Sequence, residues 1–384
     1  MEKCILYCDH WQNGGVESYL MNQLRNWDLS KIECLIVTAE KTTDVYDQEL
    51  RKMNVQQYVL LEGECSFPIL RILKTFYTFK IFLQEHSCDI LYLNLTNSVT
   101  MRYALIAKRL GVSRRIVHSH NSGLEPSLTK TIKLFAHIIS KNIYAYAATD
   151  WWACSNIAAC FLFPQSIYKK VVYIPNAIRV DDFSFSAKKR KQIRCEWNIY
   201  DDDIKIVGTV GRCTTQKNHS FLLDVFAATY TQYPKMKLLI VGDGVMRPKL
   251  EEKAQNLGII DKCIFHGFTD NVAPLYSAMD VFCLPSVVEG FGTVAIEAQT
   301  AGCKCLLSEA VSKQAKILIE TQYLPLDRKE WVDNLLTVLQ EPFDNRMRLM
   351  AAEQVRKKGF DTVDNARRTQ DLLIGIDDNG VSLS

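Results

Sequence analysis

Two open α/β domains in succession, each built on a parallel sheet, are what this sequence predicts. Short runs rich in β-branched residues alternate with longer segments of helical period along the whole chain. The alternation breaks once, at Pro175-Asn176, and then restarts. A chain of 384 residues also exceeds what one ordinary hydrophobic core holds together.

In chain order, the strands of the first domain are predicted at Cys4 to Cys8, Cys34 to Thr38, Gln57 to Leu61, Ile90 to Leu93, Arg115 to His118, Trp152 to Cys154 and Val171 to Ile174, with helical segments between them. After the break come Asp181-Asp182 and the basic run Lys188 to Lys191, so residues 176–190 read as the linker. The second series of strands is Lys205 to Thr209, Lys237 to Val241, Cys263 to His266, Val281 to Leu284 and Lys304 to Leu307. The resulting division is residues 1–180, residues 181–360 and a C-terminal segment, 361–384. Open parallel sheets bind ligands beyond the carboxyl ends of their strands, so the site is expected in a cleft between the two domains.

Composition narrows the function classes. Hydrophobic residues make up 48% and charged ones 23%, the balance of a globular protein without a membrane span. The apolar start is too short for a signal peptide, which points to the cytoplasm. A net charge of +3 is too small to imply a nucleic-acid partner. The 13 cysteines are scattered, without zinc spacing, and read as reduced core thiols. Asp201-Asp202-Asp203 matches the D-x-D pattern of metal sites, but it precedes the strand at Lys205 and so lies at the wrong end of the sheet; no metal is expected.

The most informative stretch is Glu289-Gly-Phe-Gly-Thr-Val-Ala-Ile-Glu297, two carboxylates bracketing a glycine-rich turn into a helix. Gly290 and Gly292 let the backbone come close to an anion, and the first N–H groups of a helix are free to bind it. One carboxylate suits sugar hydroxyls and the other, about two helical turns on, suits ribose hydroxyls. Gly211-Arg212 and Lys217-Asn218, beside a helix start, supply a planar fork and a point charge able to neutralise a diphosphate without a metal. His266-Gly267-Phe268-Thr269 ends a strand where a base would lie, and Val241-Gly242-Asp243-Gly244 is a weaker glycine turn. In the first domain, Gly14-Gly15-Val16-Glu17 opens a strand-to-helix turn to a phosphate. His118-Ser119-His120-Asn121 follows a strand, with His120 the stronger candidate and its charge open to adjustment near neutral pH.

Taken in order, these motifs resemble the family-4 type of retaining glycosyltransferases with the GT-B fold, especially those that build bacterial capsular and exopolysaccharides; Pro175-Asn176-Ala177-Ile178 adds to the likeness. The resemblance implies two Rossmann-like domains facing across a cleft, the first binding the acceptor and the second a nucleotide-sugar. It implies that Arg212 and Lys217 hold the donor diphosphate, Glu297 the ribose and Glu289 the sugar. Phe291, Gly292, Thr293 and Val294 would offer backbone N–H groups, Gly14 and Gly15 would admit the phosphate, and Phe268 would flank the base. His120 would lie beside the anomeric centre, and the C-terminal segment would form a helix crossing back to the first domain. Such enzymes need no cofactor and no protein nucleophile. Lys304 and Thr293 replace residues that are small, apolar or aliphatic in many relatives, positions expected to bear on donor choice.

The expected reaction is hexose transfer from a nucleotide-sugar, UDP-linked, to a glycan or lipid-linked oligosaccharide. Two basic, apolar stretches, Arg71 to Leu83 and Thr129 to Lys141, suit either core packing, the preferred reading, or peripheral contact with an anionic membrane. The alternatives are a sugar-nucleotide epimerase or phosphorylase-like enzyme of the same fold, or a catalytically silent subunit. An oxidoreductase is disfavoured, since neither domain opens with a complete G-x-G-x-x-G.

Overall fold

The computed structural model describes residues 2–12, 14–61, 68–121, 123, 130–201, 203–342 and 345–376. The chain divides into two units, Met1–Asn176 together with Thr362–Ser384, and Ala177–Asp361.

The first unit runs β1 (Glu2–Trp11), α1 (Gly15–Asn26), β2 (Ile32–Lys41), α2 (Asp47–Lys52), β3 (Gln56–Val59), α3 (Pro68–Glu85) and β4 (Ile90–Leu95). It continues with α4 (Arg102–Arg109), β5 (Arg114–Ser119), α5 (Lys130–Tyr144), β6 (Asp150–Ala153), α6 (Asn156–Leu162) and β7 (Val171–Tyr173). The strands form one parallel sheet in the order β3-β2-β1-β4-β5-β6-β7. Every residue of β4 is buried, as a central strand covered by helices on both faces requires. The order changes direction between β1 and β4, which makes that the ligand-binding switch point of this sheet.

The second unit opens with α7 (Val180–Phe183) and α8 (Ala187–Glu196), so residues 176–190 are not a bare linker but hold one short helix and the start of another. It then runs β8 (Lys205–Val210), α9 (His219–Tyr230), β9 (Met236–Val241), α10 (Arg247–Asn256), β10 (Cys263–Gly267), α11 (Ala273–Ala278) and β11 (Val281–Leu284). The last elements are α12 (Thr293–Thr300), β12 (Lys304–Ser308), β13 (Gln322–Leu324), α13 (Arg328–Gln340) and α14 (Asn345–Lys357). The sheet order is β10-β9-β8-β11-β12-β13, parallel throughout, with its switch point between β8 and β11. Sequence patterning missed β13, because Gln-Tyr-Leu is too short and too mixed to register as a strand.

The basic run around Arg190 is part of the packed second unit rather than linker. Arg190 and Arg194 of α8 are buried and converge on Asp280, at 2.8 and 3.4 Å. Arg348 of α14, also buried, donates to the carbonyls of Tyr276, Met279 and Ala301 at 3.1, 2.8 and 2.7 Å. These guanidiniums hold α8 and α14 against the end of α11, where free helix carbonyls accept them.

The last helix, α15 (Thr362–Leu373), belongs to the first unit and packs on α1. Gln23 Nε2 donates to Asn365 Oδ1 at 2.9 Å, and Trp27 Nε1 to the Ala366 carbonyl at 3.1 Å. Residues 377–384 of the expected C-terminal segment lie outside the described residues.

Core packing accounts for only part of the two basic, apolar stretches. In α3, Phe76, Phe79 and Phe82 are buried, whereas Leu70, Ile72, Leu73 and Tyr77 are exposed. In α5, Ile132, Leu134, Phe135, Ile138, Ile139 and Ile143 are all exposed. Thr129 lies outside the described residues. Among the described residues no helix is long and apolar enough to cross a membrane. All described cysteines are free, most of them buried, and Cys65 lies outside the described residues.

Candidate active site

The expected donor-binding residues of the second unit gather at the switch point of its sheet. The loop after β8 carries Arg212 and Lys217, and the loop after β11 carries Glu289. Lys217 Nζ lies 2.6 Å from Glu289 Oε2, both side chains being largely buried, so residues 72 positions apart meet in a charge-assisted bond. Ser286 Oγ donates to the same oxygen at 3.2 Å. Gln216 ties the two loops together: its side chain donates to the Val288 carbonyl and its own carbonyl accepts from Val287 N–H, both at 2.9 Å. Arg212 is exposed and makes no ion pair among the described residues, which leaves its fork available to an anion.

Glycine makes the crossing of these loops possible. A Cβ on Gly242 would sit 2.2 Å from the Gly211 carbonyl oxygen, so only glycine lets the loops after β8 and β9 pass this closely. Gly292 caps α12 in the left-handed region, with φ of 90°, and a Cβ there would lie 2.8 Å from Val311 Cγ1. The turn thus carries the chain from the Glu289 loop directly into α12, whose first N–H groups have no partner within the helix. The Phe291 ring is buried against Phe360. Thr293 and Val294 are partly buried at the helix start. Phe268 is exposed beyond the end of β10, where the positive φ of Gly267 turns the chain.

Glu297 is the fifth residue of α12, so it stands just over one turn from the helix start rather than the two turns expected from its spacing to Glu289. Burial pushes its carboxyl up to about 7, against the opposing pull of a Tyr276 hydrogen bond and the Lys217 charge. Tyr276 O–H donates to Glu297 Oε2 at 2.7 Å. Burial and the adjacent carboxylate raise the tyrosine well above its ordinary range, which keeps it a donor.

In the first unit the candidates surround the ends of β1, β4 and β5. Gly14 is the N-cap of α1 in extended backbone, with Glu17 Oε2 2.6 Å from where a Cβ would be, while Gly15 faces open space. His120 Nε2 and Asn94 Oδ1 are 2.9 Å apart, which assigns the proton to Nε2, and the Tyr19 ring of α1 lies 4.9 Å away. Burial drives His120 down to about 3, so it is neutral throughout the physiological range and is not the near-neutral titrating group expected. His118 is fully buried, bonded to the Tyr92 hydroxyl at 2.7 Å, and burial holds it neutral too.

Comparison with known proteins places this geometry. Residues 189–358 match the family model described as glycosyl transferases group 1. EpsF of Bacillus subtilis, named as a glycosyltransferase, is 27% identical over 303 residues, covering 78% of this chain and 77% of that protein. An Escherichia coli UDP-Gal:alpha-D-GlcNAc-diphosphoundecaprenol alpha-1,3-galactosyltransferase is 23% identical over 80% of this chain and 81% of its own. Residues 189–358, within the second unit, form a group 1 glycosyltransferase domain. Its fold is that of Anabaena Alr3699/HepE, solved with UDP and glucose, at a TM-score of 0.77 and 17% identity over 97% of this chain and 99% of that one. WaaG, a glycosyltransferase involved in lipopolysaccharide biosynthesis, superposes with a TM-score of 0.73 at 15% identity, over 97% of this chain and 100% of its own. Both are GT-B proteins, and GT-B is the fold of this transferase.

Within the transferase, Arg212, Lys217, Glu289, Gly292 and Glu297 fall on neighbouring loops and one helix of the second unit, whereas Gly14, Gly15 and His120 belong to the first. Lys304 does not line the site: it starts β12 at the amino end of the sheet and pairs with Glu341. Asp203 is likewise at that end and pairs with Lys235, while Asp202 lies outside the described residues.

Sequence reasoning missed three contributors. Tyr276 and Ser286 carry no motif of their own and are seen only as partners of the two glutamates. Asp9 lies near the carboxyl end of β1, beside the switch point of the first sheet, and accepts from Tyr7, Thr96 and Asn97 at 3.2, 3.4 and 3.3 Å, with burial raising its carboxyl. A lone acid directly after the predicted strand Cys4 to Cys8 was the available signal for Asp9.

Proposed function

We propose that this transferase moves a hexose from a UDP-sugar to a lipid-linked glycan with retention of anomeric configuration and without a metal, in bacterial surface polysaccharide synthesis. The observation that carries the reading is the Lys217–Glu289 pair joining the loops after β8 and β11 at the switch point, with Arg212 on the first of these loops and the α12 N-terminus following the second. Arg212, Lys217 and the helix N–H groups bind the diphosphate, Glu289 accepts sugar hydroxyls, Glu297 accepts ribose hydroxyls and Phe268 flanks the base. Gly14, Gly15 and His120 attend the phosphate and the reacting carbon.

The acceptor hydroxyl attacks the anomeric carbon on the face from which the diphosphate leaves. The bond from carbon to the diphosphate oxygen breaks, the new glycosidic bond forms, and a departing phosphate oxygen takes the hydroxyl proton, giving the glycoside and UDP. The two cations stabilise charge as it grows on the leaving diphosphate, and orientation supplies the rest of the rate. The similarity to the diphosphoundecaprenol galactosyltransferase supports a lipid-linked acceptor. The exposed apolar rows of α3 and α5, interspersed with Lys74, Lys80, Lys133 and Lys141, support peripheral membrane contact.

The test incubates the purified protein with a panel of UDP-hexoses and lipid-diphosphate-linked N-acetylglucosamine, with EDTA present, and reads the anomeric configuration of the product by NMR. The expected product retains the donor configuration, and Lys217→Ala abolishes it. Donor turnover without an acceptor would point to an epimerase instead, and a requirement for inorganic phosphate to a phosphorylase. Vesicles of phosphatidylglycerol should co-sediment the protein, and Phe135→Glu should release it; failure to sediment even on anionic vesicles would remove the membrane reading.

A further inference from the structure

Glu297 presents its two carboxylate oxygens differently. Oε2 accepts from the Tyr276 hydroxyl at 2.7 Å, while Oε1 takes no hydrogen bond among the described residues. One oxygen is thus fixed by the protein, and the other keeps its lone pairs for a ligand.

Tyr276 is unusually well held for this task. Its ring is fully buried, edge-on to Phe183 at 5.9 Å and tilted against Phe282 at 5.8 Å. Its carbonyl accepts from Arg348 Nη2 at 3.1 Å and from Cys303 Sγ at 3.3 Å. The phenol therefore has little freedom, and its only polar side-chain atom is spent on Glu297. The arrangement fixes the carboxylate rotamer before any ligand arrives.

We propose that Tyr276 is a positioning residue for the nucleotide: it aims the Glu297 carboxylate at the ribose hydroxyls of a bound nucleoside diphosphate. The inference rests on the reading of Glu297 as the ribose ligand. The charged and titratable groups facing Glu297 are Tyr276 from α11 and Lys217 from the loop after β8; the Arg348 guanidinium of α14 donates to backbone carbonyls and Cys303 and lies over the Phe185 ring. Tyr276 and Lys217 both favour the ionised carboxylate, so removing the phenol also moves the carboxyl upward and extends its protonated form to higher pH.

The experiment is calorimetric titration of wild type, Tyr276→Phe and Glu297→Ala with UDP and with 2′,3′-dideoxy-UDP. Phenylalanine keeps the buried ring, and binding of the dideoxy nucleotide reports that the site is intact. Tyr276→Phe should weaken UDP about tenfold, the scale of one hydrogen bond to a charged group, while leaving dideoxy-UDP within about twofold of wild type. The pH at which UDP affinity falls on acidification should also rise in that variant. Equal loss for both nucleotides would mark general loosening of α11 and overturn the proposal, as would Tyr276→Phe binding UDP like wild type while Glu297→Ala does not. Should Glu297→Ala itself bind UDP normally, the ribose assignment of Glu297 falls and this inference with it.

Discussion

Replacing Glu297 by glutamine should make the free protein more stable and the nucleotide complex weaker. A carboxyl raised in the folded state binds more protons folded than unfolded between its two titration points, so its cost to stability grows as pH rises through that window and is constant above it. Burial moves Glu297 from an ordinary 4.5 up to about 7. At 1.36 kcal/mol per pH unit, keeping it ionised in the folded protein at pH 8 costs at most about 3 kcal/mol. Glutamine removes that cost and still accepts from Tyr276, but it forgoes the attraction of Lys217, so the net gain expected is about 1–2 kcal/mol. For a unit of this size each kcal/mol raises Tm by about 2–4 °C. Differential scanning fluorimetry at pH 8 and pH 5 reads the gain, which should shrink at the lower pH, and calorimetry should show UDP affinity down by about tenfold or more. A variant less stable than wild type at pH 8, or equally stabilised at both pH values, would refute the reasoning.

Three further outcomes follow from the same geometry. Lys217→Met takes from the largely buried Glu289 its charged partner, and should cost about 3 kcal/mol by denaturant titration while lowering UDP affinity about tenfold or more. Gly292→Ala forces a side chain into φ of 90° against Val311, and should destabilise the second unit by about 1–3 kcal/mol and weaken UDP, both measurable on one preparation. The buried histidines make the protein acid-sensitive. With His120 lowered to about 3 and His219 to about 4, their contribution is fully present above the unfolded value of 6.5 and is lost as pH falls. Each costs about 2 kcal/mol at pH 5. Glu297 works in the opposite sense in the second unit, so calorimetry from pH 7 to pH 5 should show the first unit losing more stability.

Strand positions were legible because central parallel strands are buried on both faces and so read as continuous apolar runs, as in Ile90–Leu95. Glu289, Glu297, Arg212 and Lys217 were legible because they sit at fixed spacing around glycines that the loops cannot do without. Tyr276 was not, since a tyrosine on a short apolar helix looks the same whether its hydroxyl meets water or a carboxylate. His120 was placed at the right strand end, but its protonation state was misjudged: burial depends on Tyr19 and Asn94, which are distant in sequence. Arg190 was assigned to the linker for the same reason, its partner Asp280 lying 90 positions away.

The most direct test of the account is thermal stabilisation of the wild-type protein by UDP, with GDP, ADP and NAD beside it. A ligand bound only by the folded state at about a hundred times its Kd adds about 2.7 kcal/mol. UDP should give a shift that exceeds the other three and falls by about half or more in Lys217→Met. Folded protein that none of the four nucleotides stabilises would contradict it.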